Sequence, residues 1–158
     1  MGFRDVRESG ILNGGVEDNV EIVRRLTDTV QSYWEGEGSW EETLGPLYDP
    51  DVDYYPARKF PDSKACHGTD ELRRFYDSYR EAWDRFDWEV LEVTAVGDDR
   101  VLGHLRLSGS GRGSGLELRG DVFACYWLRN GRIFRHEDHL TEVGARRGLG
   151  IDPPNVPE

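Results

Sequence analysis

The sequence predicts an α+β fold, with helices gathered on one face of a curved antiparallel sheet. Three observations carry this. Apolar residues recur at steps of three and four in the first half of the chain. After Asp87 the period changes to two. Asn130-Gly131 then joins the last two alternating segments, which is the signature of a two-residue hairpin.

The first helix starts near Asn19, with Val20, Val23, Leu26, Val30 and Tyr33 on its apolar side. Glu35-Gly36-Glu37-Gly38 ends it. Ser39-Trp40-Glu41-Glu42 has the pattern of a capping box and opens a short second helix with Leu44 and Leu47 on one side. Val52–Tyr55 is a short strand after Pro50. Thr69 caps a third helix striped by Leu72, Phe75, Tyr76, Tyr79 and Trp83. Four strands come next: Trp88–Val96, Val101–Ser108, Leu116–Leu128 and Arg132–Leu140. The GSGRGSG run at 109–115 lacks the lysine of a phosphate loop and leads into a strand, so it reads as a hairpin loop. The expected organisation is a polar leader over 1–16, one domain over 17–147 and a Pro-rich tail over 148–158.

Composition narrows the partners. The 158 residues carry 31 acidic and 20 basic side chains, a net charge of −11. Such a surface repels phosphate backbones and anionic lipid, so neither nucleic acid nor a membrane is expected as a partner. No apolar run approaches the length of a membrane span. MGFRDVRESG has no apolar segment of the secretory type, and Cys66 and Cys125 lack metal-type spacing. A cytoplasmic protein with two free thiols is expected.

The stretches N-V-E-I-V-R-R-L (19–26), D-P-D-V-D-Y-Y-P (49–56), H-G-T-D-E-L-R-R-F (67–75), G-R-G-S-G (111–115) and N-G-R-I-F-R (130–135) resemble the SnoaL-like branch of the NTF2-like superfamily. That resemblance implies a cone: a curved antiparallel sheet wrapped around the N-terminal helices, with a pocket at its open end. It also implies a homodimer through the sheet, no cofactor, and a small apolar molecule as ligand. The superfamily includes polyketide cyclases, ketosteroid isomerases, epoxide hydrolases and non-catalytic binding modules, so the pocket residues decide the chemistry.

The candidate residues centre on R-H-E-D-H-L at 135–140. Side chains alternate faces along a strand. His136 and Asp138 therefore share a face with Phe134 and Leu140, and Glu137 and His139 share the other. Histidines pointing apart cannot converge on one ion, so no metal is expected here. The resemblance places the polyketide cyclase's essential aspartate at Asp138. It places a pocket tyrosine or base at Tyr54, whose hydroxyl suits an oxyanion. Asp138, His136 and Tyr54 are the catalytic candidates. Those for substrate binding are Arg106, His104, His67, Trp83, Trp88 and Phe134. The alternation Val101/Gly103/Leu105/Leu107 marks the core face of its strand and favours the solvent side for His104. The epoxide-hydrolase pattern needs an Arg-x-Asp where this chain offers His104-x-Arg106 or Leu105-x-Leu107, so the second aspartate is missing in either register. The ketosteroid-isomerase carboxylate positions hold Tyr54 and Phe123. The reading that remains is acid–base chemistry (cyclisation, isomerisation or dehydration) at Asp138, or a binding module of the same fold.

Overall fold

A computed structural model describes residues 14–57 and 64–151. It contains helix α1 (Gly14–Trp34), a 3₁₀ turn (Gly45–Leu47), strands β1 (Tyr48–Tyr55) and β2 (Cys66–His67), and helix α2 (Gly68–Ala82). Strands β3 (Trp83–Val96), β4 (Arg100–Gly111), β5 (Glu117–Arg129) and β6 (Arg132–His139) come next, then helix α3 (Glu142–Gly148). One six-stranded sheet has the order β2-β1-β6-β5-β4-β3. All neighbours are antiparallel except β1 and β6, which run parallel. The α+β class stands, and the single parallel pair arises because the chain returns to β1 through the whole meander.

Helix α1 buries Val23, Leu26, Val30 and Tyr33 against a sheet face made by Val101, Leu105, Ala124, Tyr126 and Ile133. It also covers an edge. Among the described residues, strand β3 has no strand partner on its outer side, and Gln31 of α1 reaches across to it. Gln31 Nε2 donates to the Phe86 carbonyl at 3.2 Å, and the Trp88 N–H donates to Gln31 Oε1 at 3.1 Å. These two bonds occupy part of the edge that another chain could otherwise pair with.

Curvature comes from bulges. The register slips within β3 at Trp83/Arg85 and Val90/Glu92, and each extra residue bends the strand. Gly109 of β4 lies where a Cβ would fall 2.7 Å from the Arg85 carbonyl, so only glycine allows the two backbones to approach there. The hairpin between β5 and β6 turns at Asn130 (φ 53°) and Gly131 (φ 76°), the left-handed pair that a type I′ turn requires.

Several boundaries differ from expectation. The expected 1–16 leader lies partly outside the described residues, and Gly14 and Gly15 already belong to α1. Ser39 does cap, accepting from the Glu42 N–H at 3.2 Å. The next residues form a run of turns and a 3₁₀ turn in place of a helix, because Pro46 stops a longer one. Trp83 caps α2 and opens β3 rather than completing the helical stripe. Helix α3 and the two-residue β2 add to the expected elements. In the expected 148–158 tail, Leu149 is buried with Ala145 of α3 against Leu102 and Cys125 on the outer sheet face; residues 152–158 lie outside the described ones. Val122, Ala124, Tyr126 and Leu128 are buried on the concave side and form core. Cys66 and Cys125 are buried free thiols. Among the described residues no helix is long and apolar enough to cross a membrane.

Candidate functional site

The sheet curls around a cleft roofed by α1 and α2. Leu105, Leu107 and Val122 form its floor, with Val30 and Trp34 of α1 and Phe75 and Tyr79 of α2 above them. The cleft is a narrow slot between rings, with about 40 Å³ of open space inside it. Phe75 stands 5.0 Å from Tyr54 and 4.6 Å from Tyr79, and Tyr79 stands 5.8 Å from Trp34, centroid to centroid.

One end of the slot is polar. Strands β1 and β6 pair so that Tyr54 lies beside His136, and β5 sets Tyr126 opposite His136 from the other side. His136 is therefore sandwiched, 4.6 Å from the Tyr54 ring and 4.5 Å from Tyr126. Two residues on, Asp138 points the same way. Its Oδ2 accepts from the Tyr54 hydroxyl at 2.5 Å, and its Oδ1 lies 2.9 Å from His136 Nε2. Its side chain is 12% exposed and His136 is 7% exposed, so the carboxylate is held by a phenol and an imidazole in a nearly dry place. His136 Nδ1 is buried with no partner among the described residues.

The surroundings shape the phenols more than any other group. Burial pushes the Tyr54, Tyr126 and Tyr48 hydroxyls well above their ordinary range, with the Asp138 charge adding to the effect for each. Tyr76 is raised for the same first reason, although its 2.9 Å bond to the Tyr48 hydroxyl works against it. Tyr79, farther out, is pushed up to about 12. These groups stay protonated and donate.

The structure brings Asp138, His136, Tyr54 and Trp88 to one cleft and leaves the other candidates elsewhere. Tyr54 spends its hydroxyl on Asp138 and not on a free oxyanion position. His104 and Arg106 lie on the convex face, both bound to Asp121: His104 Nε2 at 2.9 Å and Arg106 Nε at 2.9 Å. The alternation that buries Leu105 and Leu107 forces this. Arg106 and His104 hold the Asp121 carboxyl down at about 2. His67 sits on β2, 65% exposed, with its ring nitrogen on Asp53. Trp83 packs on Phe86 outside the cleft. Phe134 is the extra residue of a bulge: β5 pairs Trp127 with Arg135 but Leu128 with Ile133. Ile133 therefore shares the inner face with His136, and Phe134 is turned outward under the Arg129 guanidinium, 4.5 Å away. Leu140 is exposed. His139 bonds Glu137 at 3.0 Å, away from His136.

Tyr126 and Phe75 are cleft residues that the sequence does not single out as such. Phe75 and Tyr79, four apart on α2, signal one helix face, but core packing gives the same signal. Replacing Tyr54 with Phe removes one of the two bonds to Asp138. The expected loss is about 1–3 kcal/mol of stability, read from urea unfolding at neutral pH.

The SnoaL-like domain family matches residues 23–136, a span that ends two residues short of Asp138. No curated protein is similar in sequence. Among solved structures, a candidate SnoaL-like polyketide cyclase from Jannaschia sp. CCS1 superposes with a TM-score of 0.67 at 21% identity, covering 98% of this chain and 100% of its own. Bal32a, from a soil-derived mobile gene cassette, gives 0.68 at 22% identity over 83% of this chain and 95% of its own. TerC, crystallised with polyporic acid, gives 0.63 at 16% identity over 82% and 96%. At these identities the likeness speaks for the fold. Together with the family match over most of the chain, it means that this protein belongs to the SnoaL-like domain family, within the NTF2-like fold.

Proposed function

We propose that this protein is a small enzyme that moves a proton on an apolar, ring-containing small molecule bound in the cleft, using neither metal nor organic cofactor. The observation that carries this is Asp138: a carboxylate at the end of an apolar slot whose partners among the described residues are Tyr54 and His136, with no arginine among them. A structural aspartate in such surroundings is ordinarily neutralised by a cation. Here its partners are a phenol and an imidazole, one on each oxygen, which orient it for chemistry.

In this reading Asp138 takes a proton from, or returns it to, a carbon or oxygen of the substrate. His136 and Tyr54 hold the carboxylate in place, one on each oxygen. Cyclisation, isomerisation and dehydration of a carbonyl-bearing ring compound all use such a step. TerC was crystallised with polyporic acid, which agrees with a ring-binding cleft in this fold. The alternative is a binding module that holds such a molecule without turnover. The two separate in a deuterium-exchange experiment with 1-tetralone, a flat ketone with exchangeable α-hydrogens, followed by proton NMR. Catalysis predicts exchange accelerated by the protein and lost in Asp138→Asn. Binding without acceleration favours the module.

The proposed assembly is a symmetric homodimer formed through the convex face of the sheet, where Phe123 and Trp127 are only partly covered. Light scattering is expected to return about twice the chain mass of 18.1 kDa; a monomer mass contradicts it.

A further inference from the structure

Two buried donors in the cleft have no partner among the described residues. Trp34 Nε1 and Trp88 Nε1 are shielded from solvent and meet no acceptor there, and both side chains line the cleft. Burying an N–H without an acceptor costs free energy that a core rarely tolerates without a reason. Phe would keep an apolar ring at either position without that cost. The rings are held in place: Trp34 stacks on Phe86 at 4.8 Å, and Phe86 lies 5.2 Å from Trp88. Gln31 ties the Trp88 backbone to α1. The donors cannot swing out to water without breaking this cluster.

Their position matters as much as their lack of partners. From Asp138 the aromatic wall runs through Tyr54, Phe75 and Tyr79 before it reaches Trp34. The indoles therefore occupy the end of the slot away from the carboxylate. Between the two ends the wall is almost wholly apolar.

We infer that Trp34 and Trp88 are specificity-determining residues that donate their indole N–H groups to a hydrogen-bond acceptor at the end of the ligand remote from Asp138. This rests on the cleft being the small-molecule site proposed above. The ligand class is then defined at both ends. It is a flat molecule more than one ring long, with an exchangeable proton at one end and a carbonyl, ether or hydroxyl oxygen at the other. A ligand without that oxygen leaves both donors unsatisfied and binds more weakly than one that carries it, because a site built to hydrogen-bond discriminates against an analogue lacking the group.

The test uses 9-fluorenone and fluorene, which share a flat skeleton and differ at the carbonyl. Dissociation constants for both are measured on the wild type and on Trp34→Phe, Trp88→Phe and the double variant, each checked for folding by its melting curve. The ratio of the two affinities is expected to shift toward fluorene by about tenfold in the double variant, the scale of two neutral hydrogen bonds. The single variants carry the test if the double variant does not fold. Indole ¹⁵N–¹H spectra of the wild type give an independent readout. Fluorenone is expected to move the Trp34 and Trp88 signals downfield, and fluorene is not. An unchanged ratio in folded variants, or fluorenone bound with those two signals in place, overturns this inference alone. Failure of both compounds to bind overturns it together with the cleft reading. Asp138→Asn is expected to keep the fluorenone preference while losing tetralone exchange, so the two claims fail separately.

Discussion

Asp138→Asn is expected to reduce any turnover by about two to four orders of magnitude while leaving the melting temperature unchanged or higher. The loss of turnover comes from removing the group that carries the proton, the usual scale of general acid–base catalysis. The retained stability comes from the geometry. The Asn oxygen can accept from the Tyr54 hydroxyl, and its amide stands where the other carboxylate oxygen faces His136 Nε2, so both contacts at 2.5 and 2.9 Å have successors. Only a charge in an apolar place disappears, and that charge is unfavourable to bury. Thermal melts with activity on the same samples check both effects. A drop of many degrees means that Asp138 holds the sheet together and is not a catalytic group.

Alkaline unfolding is the second large effect. Tyr48, Tyr54, Tyr76 and Tyr126 are buried, and burial raises all four above their ordinary range. Because the folded state holds these protons and the unfolded state releases them, stability falls as pH rises through the unfolded value of about 10. Each group contributes about 1.4 kcal/mol per pH unit above that point. Four together approach about 5 kcal/mol per unit, against a typical total of about 5–15 kcal/mol. Cooperative loss of structure is expected between about pH 10.5 and 12, with the buried phenols ionising only as the chain unfolds. Phenolate absorbance and circular dichroism measured together report it. Gradual ionisation of all seven tyrosines near pH 10 with the fold intact would contradict the burial.

Much of the fold is legible in the sequence because it depends on local periods. The switch from helical to alternating spacing, the Asn-Gly turn and the Val101–Leu107 alternation place α1, α2 and the meander. That alternation also turns His104 and Arg106 outward. Asp138, His136 and Tyr54, which parity and resemblance single out together, meet in one cleft. Parity fails at Phe134 because it assumes an unbroken strand. An unbroken hairpin closed by Asn130-Gly131 would set Tyr126 against Arg135. The extra residue at Phe134 sets it against His136 instead, and it lets Ile133 and His136 enter the same core. Nothing local in R-I-F-R-H announces that bulge. It is decided by how Ile133 packs in the core. The role of Tyr54 is likewise invisible in the sequence, since a hydroxyl's partner 84 residues away depends on the parallel pairing of β1 with β6.

The central claim is a cleft that takes a ring compound with Asp138 at its end. The most direct test is a crystal structure of the protein soaked with 1-tetralone. The ketone is expected in the slot between Phe75, Tyr79 and the sheet, with its α-carbon or carbonyl oxygen about 3–3.5 Å from an Asp138 oxygen, the separation that proton transfer requires. A slot closed by its own Trp34, Tyr79 and Trp88 rings, with the ketone bound elsewhere or not at all, would contradict it.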